Sequence, residues 1–384
     1  MSSGDQVVAK NQYNRMEFAG ALGDLGTFIP YVLVYITILK FDPASILLAF
    51  GIANVITGLI YRTPIPVQPM KAIGTFAMAN ASIVNAGMIY GAGLATGLFW
   101  LVIGLSGMGR YLAEIIKKPV AKGIVLGLGL LFLKQGLAMA WQGPLVAGTG
   151  LLIFFGLKDR HKIPGLLVIL IFGVVTTLWN KPDTVTQLLS IKPVWRLPVF
   201  HWQFSLQELM SGILILALPQ VPITFANGIL AVSNENNELF PDRAVTIKKL
   251  TLSTALMNLV SPWLGGIPMC HGAGGLAGHV RFGARTGGAT VILGVVLIIL
   301  GLFFSNSVLM LFSLLPTAVL GVIMTIAGGE LVRSSRDKQF DVLELLVYMV
   351  TAGIAFWNAG YAVLVGLVLS KILLKDQTVN NQTM

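Results

Sequence analysis

The sequence predicts an all-α polytopic membrane protein with 14 transmembrane segments, arranged as two inverted repeats of seven. Three observations predict it: very little charge, long apolar runs at regular intervals, and matched proline or glycine interruptions in the third and tenth runs. Charged residues make up 11% of the chain and hydrophobic residues 55%, with a mean hydropathy of +0.81. Soluble domains carry roughly 25% charged residues. So few charges cannot cover a water-facing surface, so most of the chain must face lipid or other helices. The 43 glycines fit this reading, because small residues let membrane helices approach closely. A net charge of +10 would point to nucleic acid in a soluble protein. Here the basic residues sit in short loops, where they orient spans, and no nucleic-acid partner is expected. Cys270 is the single cysteine, so no intrachain disulfide can form. Residues 1–14 are polar and lack an apolar core, so no cleaved signal peptide is expected.

A helical span needs about 20 apolar residues, fewer where the helix is broken. The runs fall at 18–39, 44–61, 67–80, 88–109, 119–140, 143–157 and 164–180, then at 209–232, 246–263, 268–280, 287–305, 308–329, 341–357 and 359–374. Residues 1–180 form the first repeat and 209–375 the second. The polar, tryptophan-containing linker 181–208 belongs at the membrane interface. The tail 376–384 is short, and no C-terminal regulatory domain is expected. This count places 20 of the 26 Lys and Arg residues on one face. They include Lys117, Lys118 and Lys122, the cluster Lys158, Arg160 and Lys162, the cluster Arg333, Arg336 and Lys338, and Lys375. Lys40, Lys181, Lys192 and Arg196 fall on the other face, and Lys71 and Lys134 lie within segments. By the positive-inside rule, both termini are cytoplasmic in an inner or plasma membrane.

The third segment opens with Pro64-Ile65-Pro66-Val67-Gln68-Pro69-Met70-Lys71, and the tenth with Gly265-Gly266-Ile267-Pro268-Met269-Cys270-His271-Gly272. Both are short and begin with irregular backbone. They hold the same ordinal place in two halves of seven, and an odd number of spans per half inverts the second half. A helix that starts inside the membrane presents free N–H groups and a positive dipole end. Two such ends facing each other make an anion or polar-solute site. Irregular backbone at that depth is tolerated only where it lines a cavity or is buried in protein.

Several side chains could serve such a site. Gln68 can donate to an oxyanion or bond a neighbouring helix. Lys71 is an intramembrane cation, costly unless it is used; it either attracts an anion or pairs with an acid such as Asp24. Asp24 lies in a Gly-Asp-Leu-Gly-Thr break and either balances Lys71 or carries a coupling proton; Thr27 follows, and its hydroxyl could reach the substrate. Glu17, near the segment's end, reads as a solvated or loop-pairing acid. In segment 8, Pro219 and Pro222 disrupt backbone hydrogen bonding. Gln220, Thr224 and Asn227 share a helical face there, as a substrate wall or as polar glue. His271 heads the second half-helix, as a donor, a titrating group or a structural one. Pro69, Met70, Cys270 and Gly272 supply backbone at the two heads, with Cys270 small packing rather than redox chemistry. Glu330 reads as an interface or proton-linked acid, or as a partner of the nearby basic stretch. No P-loop, His-Glu-x-x-His, paired-cysteine metal site or nucleophile elbow is present, so neither an enzyme nor a cofactor is expected.

The runs Glu17-Phe18-Ala19-Gly20-Ala21-Leu22-Gly23-Asp24-Leu25-Gly26-Thr27, Pro66-Val67-Gln68-Pro69-Met70-Lys71-Ala72 and Pro268-Met269-Cys270-His271-Gly272-Ala273-Gly274-Gly275 resemble signatures of molybdate transporters in the sulfate permease superfamily. The resemblance covers both halves. It implies a core of spans 1–4 and 8–11 moving like an elevator against a gate of spans 5–7 and 12–14. It places substrate between the heads of spans 3 and 10, beside spans 1 and 8. It further implies secondary active transport of a tetrahedral oxyanion, molybdate first and sulfate second, with protons as candidate coupling ion, and a homodimer in the lipid bilayer. A nucleobase or bicarbonate carrier on the same fold, and an oxyanion channel, are the rival expectations.

Overall fold

A computed structural model describes residues 10–157, 165–199, 205–337 and 339–374. Lys158, Arg160, Lys162, Lys338 and Lys375 of the basic face lie outside the described residues, as do residues 1–9, 200–204 and the tail 376–384.

The chain is built almost wholly of helices. The first half holds α1 (Arg15–Thr37), α2 (Pro43–Tyr61), α3 (Lys71–Ala79), α4 (Ala86–Ser106), α5 (Lys118–Ala140), α6 (Pro144–Leu157) and α7 (Gly165–Asn180). The second half holds α8 (Leu206–Leu239), α9 (Ile247–Val260), α10 (Ala273–Arg281), α11 (Gly288–Ser313), α12 (Thr317–Ser334), α13 (Val342–Trp357) and α14 (Ala359–Leu373). Among the described residues, α1, α2, α4, α5, α8, α11 and α12 are long and apolar enough to cross a membrane. An eighth candidate is α7 taken with the short helix Asp183–Leu189, to which it is bent by 112°. Between halves, α2 packs along α11, α4 along α9 and α5 along α12.

Two glycine contacts show why the sequence is so rich in small residues. A Cβ on Gly51 would lie 2.8 Å from the Gly294 carbonyl, and one on Gly294 would lie 2.6 Å from the Gly51 carbonyl. Gly136 and Gly321 meet in the same reciprocal way between α5 and α12, at 2.8 and 2.6 Å. Backbones this close gain dispersion contacts, which drive association where apolar burial between lipid and protein does not.

The boundary between the eleventh and twelfth segments differs from the sequence reading. The polar triplet Ser305-Asn306-Ser307 suggested a loop, but a 3₁₀ turn carries α11 through it to Ser313. Asn306 is satisfied there by the linker's Arg196 (2.9 Å), so the triplet need not leave the helix. The break comes at Leu314–Pro316, where proline removes a donor and disfavours helix in the residue before it. Likewise α8 starts at Leu206, inside the stretch assigned to the linker, because Ser205 and Glu208 form a capping box.

Of the two readings of Glu17, solvated or loop-pairing, the structure shows the second. It is 1% exposed, and its carboxylate accepts from the backbone N–H groups of Arg285 (2.9 Å), Thr286 (2.9 Å) and Ala289 (3.0 Å). These donors belong to the loop after α10 and the first turn of α11, so one side chain of α1 ties down the far end of the second half. A buried donor left without a partner costs roughly 1–3 kcal/mol. Glu17→Ala orphans three such donors and is expected to destabilise the protein by about 3 kcal/mol or more. Glu17→Gln, which keeps one acceptor, should lose markedly less. Thermal unfolding of the detergent-purified variants checks the order.

Candidate functional site

The site is assembled where α3 and α10 begin. The two-residue strands β1 (Gln68–Pro69) and β2 (Met269–Cys270) pair antiparallel, Gln68 opposite Cys270 and Pro69 opposite Met269. The Met70 N–H donates to the Pro268 carbonyl at 3.0 Å. Asn258 of α9 clamps Met269 through both its N–H (3.0 Å) and its carbonyl (2.6 Å). Irregular backbone deep in the bundle therefore keeps its hydrogen bonds, as a low-dielectric interior requires.

Thr27 and Gln68 converge on Asp24. The Thr27 hydroxyl and the Gln68 amide nitrogen both donate to Asp24 Oδ1, and Gln68 Nε2 also lies 2.8 Å from Thr27 Oγ1. Asp24 is brought here by a 3₁₀ break in α1 at Leu22–Asp24. The break lets Gly23 sit against Gly278 of α10, where either added Cβ would lie within 2.6 Å of the other residue's carbonyl oxygen. Gln68 in turn needs Gly272 and Gly275, since Cβ atoms there would lie 1.8 Å from Gln68 Oε1 and 2.6 Å from Nε2. Among the described residues, Asp24 Oδ2, Gln68 Oε1 and Lys71 Nζ are buried polar atoms without a hydrogen-bond partner.

Lys71 does not bond Asp24. Its Nζ lies 4.3 Å from the centroid of the Phe132 ring, a cation–π arrangement with α5. Phe132 is 1% exposed and reaches in to α10 as well, where a Cβ on Gly274 would lie 1.9 Å from the ring. This aromatic wedge between the two half-helices was missed by sequence reasoning. A phenylalanine in an apolar span carries no sequence signal of its own. Lys71 lines a cavity of about 600 Å³ together with Tyr31, Ala72, Gln135, Asn227, Trp357 and Asn358.

Segment 8 also arrives as an irregular helix. Around Pro219 and Pro222, α8 turns π-helical over Gly212–Ala217 and Thr224–Ala231, the kind of bulge that re-aims side chains. Gln220 Oε1 accepts the Ala72 N–H at 2.9 Å, and its Nε2 donates to Thr224 Oγ1 at 2.9 Å. Asn227 Oδ1 accepts the Ala273 N–H at 3.3 Å. Gln220 and Thr224 thus stay together, while Asn227 turns to the other half-helix.

The remaining candidates have other neighbours. His271 is 0% exposed, with Nδ1 2.9 Å from the Pro66 carbonyl and Nε2 2.7 Å from Ser253 Oγ. Both ring nitrogens are therefore occupied in tying the heads together. Cys270 is a buried free thiol, and Met70 is fully buried with its N–H in the ladder. Pro69 has no N–H to offer. Glu330 lies away from the heads, 3.8 Å from Arg281 at the end of α10. A second cavity, about 540 Å³, lies between the start of α5 and the end of α8. Lys122 and Glu238 form an ion pair across it (2.5 Å).

The family profile described as "Molybdate transporter of MFS superfamily" matches residues 16–132 and 212–331, more than half of the chain, including both half-helix heads and Asp24, Thr27, Phe132, Gln220 and Asn227. The chain belongs to the molybdate transporter family. Molybdate transporter 2 of Arabidopsis thaliana is 31% identical over 370 residues, covering 84% of this chain and 79% of its own length. Molybdate transporter 1 of Chlamydomonas reinhardtii is 27% identical, covering 92% and 90%. These relatives are named as transporters, and this family member is a multi-pass membrane protein. Its fold resembles the transmembrane domain of the cyanobacterial bicarbonate transporter BicA, with a TM-score of 0.57, 16% identity and coverage of 94% and 100%. It also resembles murine Slc26a9 in the inward-facing state, with a TM-score of 0.64, 14% identity and coverage of 96% and 70%. At these identities the likeness is one of fold. It agrees with the sulfate permease resemblance read from the sequence.

Proposed function

We propose that this protein is a secondary active transporter of molybdate, which binds between the heads of α3 and α10. The observation that carries the reading is the antiparallel pairing of β1 with β2. It holds two helix N-termini side by side deep in the protein, with the Lys71 ammonium, a donor without a hydrogen-bond acceptor, next to them. Donors and positive dipole ends suit a dianion, because they attract it without a dense cluster of fixed charge. The family membership supplies the substrate class.

In this reading, α1–α4 and α8–α11 form the moving core, and α5–α7 and α12–α14 the gate, as two inverted repeats. The cavities beside Lys71 and beside Lys122 are each lined by helices of both the core and the gate, which suits alternating access. Phe132 is the gate residue at the barrier. The Lys122–Glu238 and Arg281–Glu330 pairs span the seam and must part as the core moves. Thr27, Gln68, Gln220, Thr224 and the backbone from Pro69 to Met70 and Cys270 to Gly272 surround the substrate. Lys71 draws the anion in, and Asp24 carries a coupling proton. The termini are cytoplasmic, the membrane is the inner or plasma membrane, and the protein works as a homodimer.

The test is radiolabelled molybdate uptake into proteoliposomes, with and without a pH gradient, competed by excess sulfate. Saturable uptake that resists sulfate is expected. Equal suppression by sulfate would reassign the protein as a general sulfate carrier. Uptake of bicarbonate or uracil in place of molybdate would overturn the oxyanion reading, and ionic conductance without saturation would make the protein a channel.

A further inference from the structure

Residues Gln220 and Asn227 stand in an unexpected relation to the two half-helices. The register of β1 and β2 makes Gln68 equivalent to Met269 and Pro69 to Cys270 about the local twofold axis of the pair. Carried three residues further, it makes Ala72 equivalent to Ala273. Both of these N–H groups are already taken. Ala72 N donates to Gln220 Oε1 at 2.9 Å, and Ala273 N donates to Asn227 Oδ1 at 3.3 Å. Both acceptors are side-chain amides of the same helix, α8, and both are buried, at 1% and 3% exposure. One irregular helix thus caps both heads at equivalent positions.

Amides also cap helices elsewhere in this chain, at Asn14, Asn85 and Asn358, but at a site for an anion an amide differs from a carboxylate in what it can do. A carboxylate would accept more strongly at a positive helix end, as Glu17 does elsewhere in this chain. A carboxylate would also repel an anion. An amide can accept in one orientation and donate in the other. The heads show a second sign of an absent anion, a buried donor without an acceptor: Lys71 Nζ, next to Ala72, rests against the Phe132 ring with no hydrogen-bond partner, on a residue that lines the cavity.

We infer that the amides of Gln220 and Asn227 are stand-in ligands: their oxygens hold the Ala72 and Ala273 N–H groups in the empty transporter, and an arriving oxyanion displaces them. Each amide then turns its NH₂ toward the anion, so acceptors become donors as substrate binds. The Ala72 and Ala273 N–H groups thus stay hydrogen-bonded when the site is empty, which lets the unloaded core move without orphaning them. The inference rests on the oxyanion reading above and specifies how that site is kept when empty.

The test measures molybdate binding and ligand-free melting temperature for the wild type, Gln220→Met and Gln220→Glu. Wild-type binding is established first. If the wild type binds neither molybdate nor sulfate, the oxyanion reading fails and this inference with it. Given wild-type binding, Gln220→Met removes the stand-in acceptor at nearly constant volume. Its ligand-free melting temperature should fall by several degrees, and saturating molybdate should raise it by more than it raises the wild type, because the anion restores the missing acceptor. Gln220→Glu should melt no lower than the wild type yet bind molybdate at least tenfold more weakly at neutral pH, recovering as pH falls and the neutral acid becomes able to donate. A molybdate-induced shift in Gln220→Met no larger than the wild-type shift would overturn the stand-in role. So would wild-type affinity in Gln220→Glu. Either result would leave the oxyanion reading intact.

Discussion

Lys71→Ala is expected to lower molybdate uptake by about 10- to 100-fold while leaving the protein folded. The estimate follows from the chemistry of the site. A hydrogen bond to a charged partner contributes roughly 1.5–3 kcal/mol, and each 1.4 kcal/mol is a factor of about ten in affinity. The ammonium has no hydrogen-bond partner in the protein, and its residue lines the cavity of about 600 Å³. It rests against the Phe132 ring and interacts with Asp24 only through space, so removing it breaks no hydrogen bond to a carboxylate. The loss should therefore appear in binding and transport more than in melting temperature. Lys71→Arg restores the charge on a planar, bulkier group and is expected to recover only part of the uptake. Initial-rate uptake and thermal unfolding on the same preparations check both statements. A large fall in melting temperature with unchanged affinity would make Lys71 structural.

Asp24→Asn is expected to abolish the response of uptake to a pH gradient and to leave molybdate binding within a few-fold of the wild type. A dianion entering a cell at −100 mV moves uphill by about 4.6 kcal/mol, so accumulation needs a coupled ion. Asp24 is 2% exposed, with Oδ1 receiving both Thr27 and Gln68 and Oδ2 unpartnered. In the ionised form it repels an anion at the adjacent heads. A proton on the free oxygen removes that repulsion, so substrate and proton should load together and leave together. Asparagine mimics the protonated acid permanently. The variant should bind and exchange molybdate at any pH, with uptake no longer stimulated by an acidic exterior. Wild-type gradient dependence in Asp24→Asn would place coupling elsewhere. Loss of binding would show that the carboxylate is needed to hold Gln68.

The helices were legible in the sequence because lipid imposes a simple rule: long apolar runs with their charges at the ends. The two half-helices were legible because proline and glycine interrupt backbone geometry wherever they stand. Misreadings arose where a polar residue is satisfied by a partner distant in sequence. Ser305-Asn306-Ser307 reads as a loop until Arg196 is brought to Asn306. Glu17 reads as either a solvated or a loop-pairing acid until the loop after α10 closes on it. In the site, depth in the segments marked Asp24, Thr27, Gln68 and Lys71 as candidates, but the sequence offered Lys71 as the partner of Asp24, whereas Thr27 and Gln68 take its carboxylate. The direction of the Gln220 and Asn227 amides could not be anticipated, because π-helical stretches on either side of Pro219 and Pro222 alter the phase of α8. Nor could the wedge of Phe132, whose meaning comes only from the glycine and lysine that it touches.

The central claim, that an oxyanion binds between the heads of α3 and α10, is tested most directly by molybdenum itself. Crystals of the protein grown with molybdate, measured on either side of the molybdenum absorption edge, locate the metal by anomalous difference without reference to the protein model. The account predicts one strong peak within hydrogen-bond reach of the Ala72 and Ala273 N–H groups, with the Gln220 and Asn227 amides turned. A peak confined to the cavity between α5 and α8 beside Lys122, with the two heads still capped by amide oxygens, would contradict it.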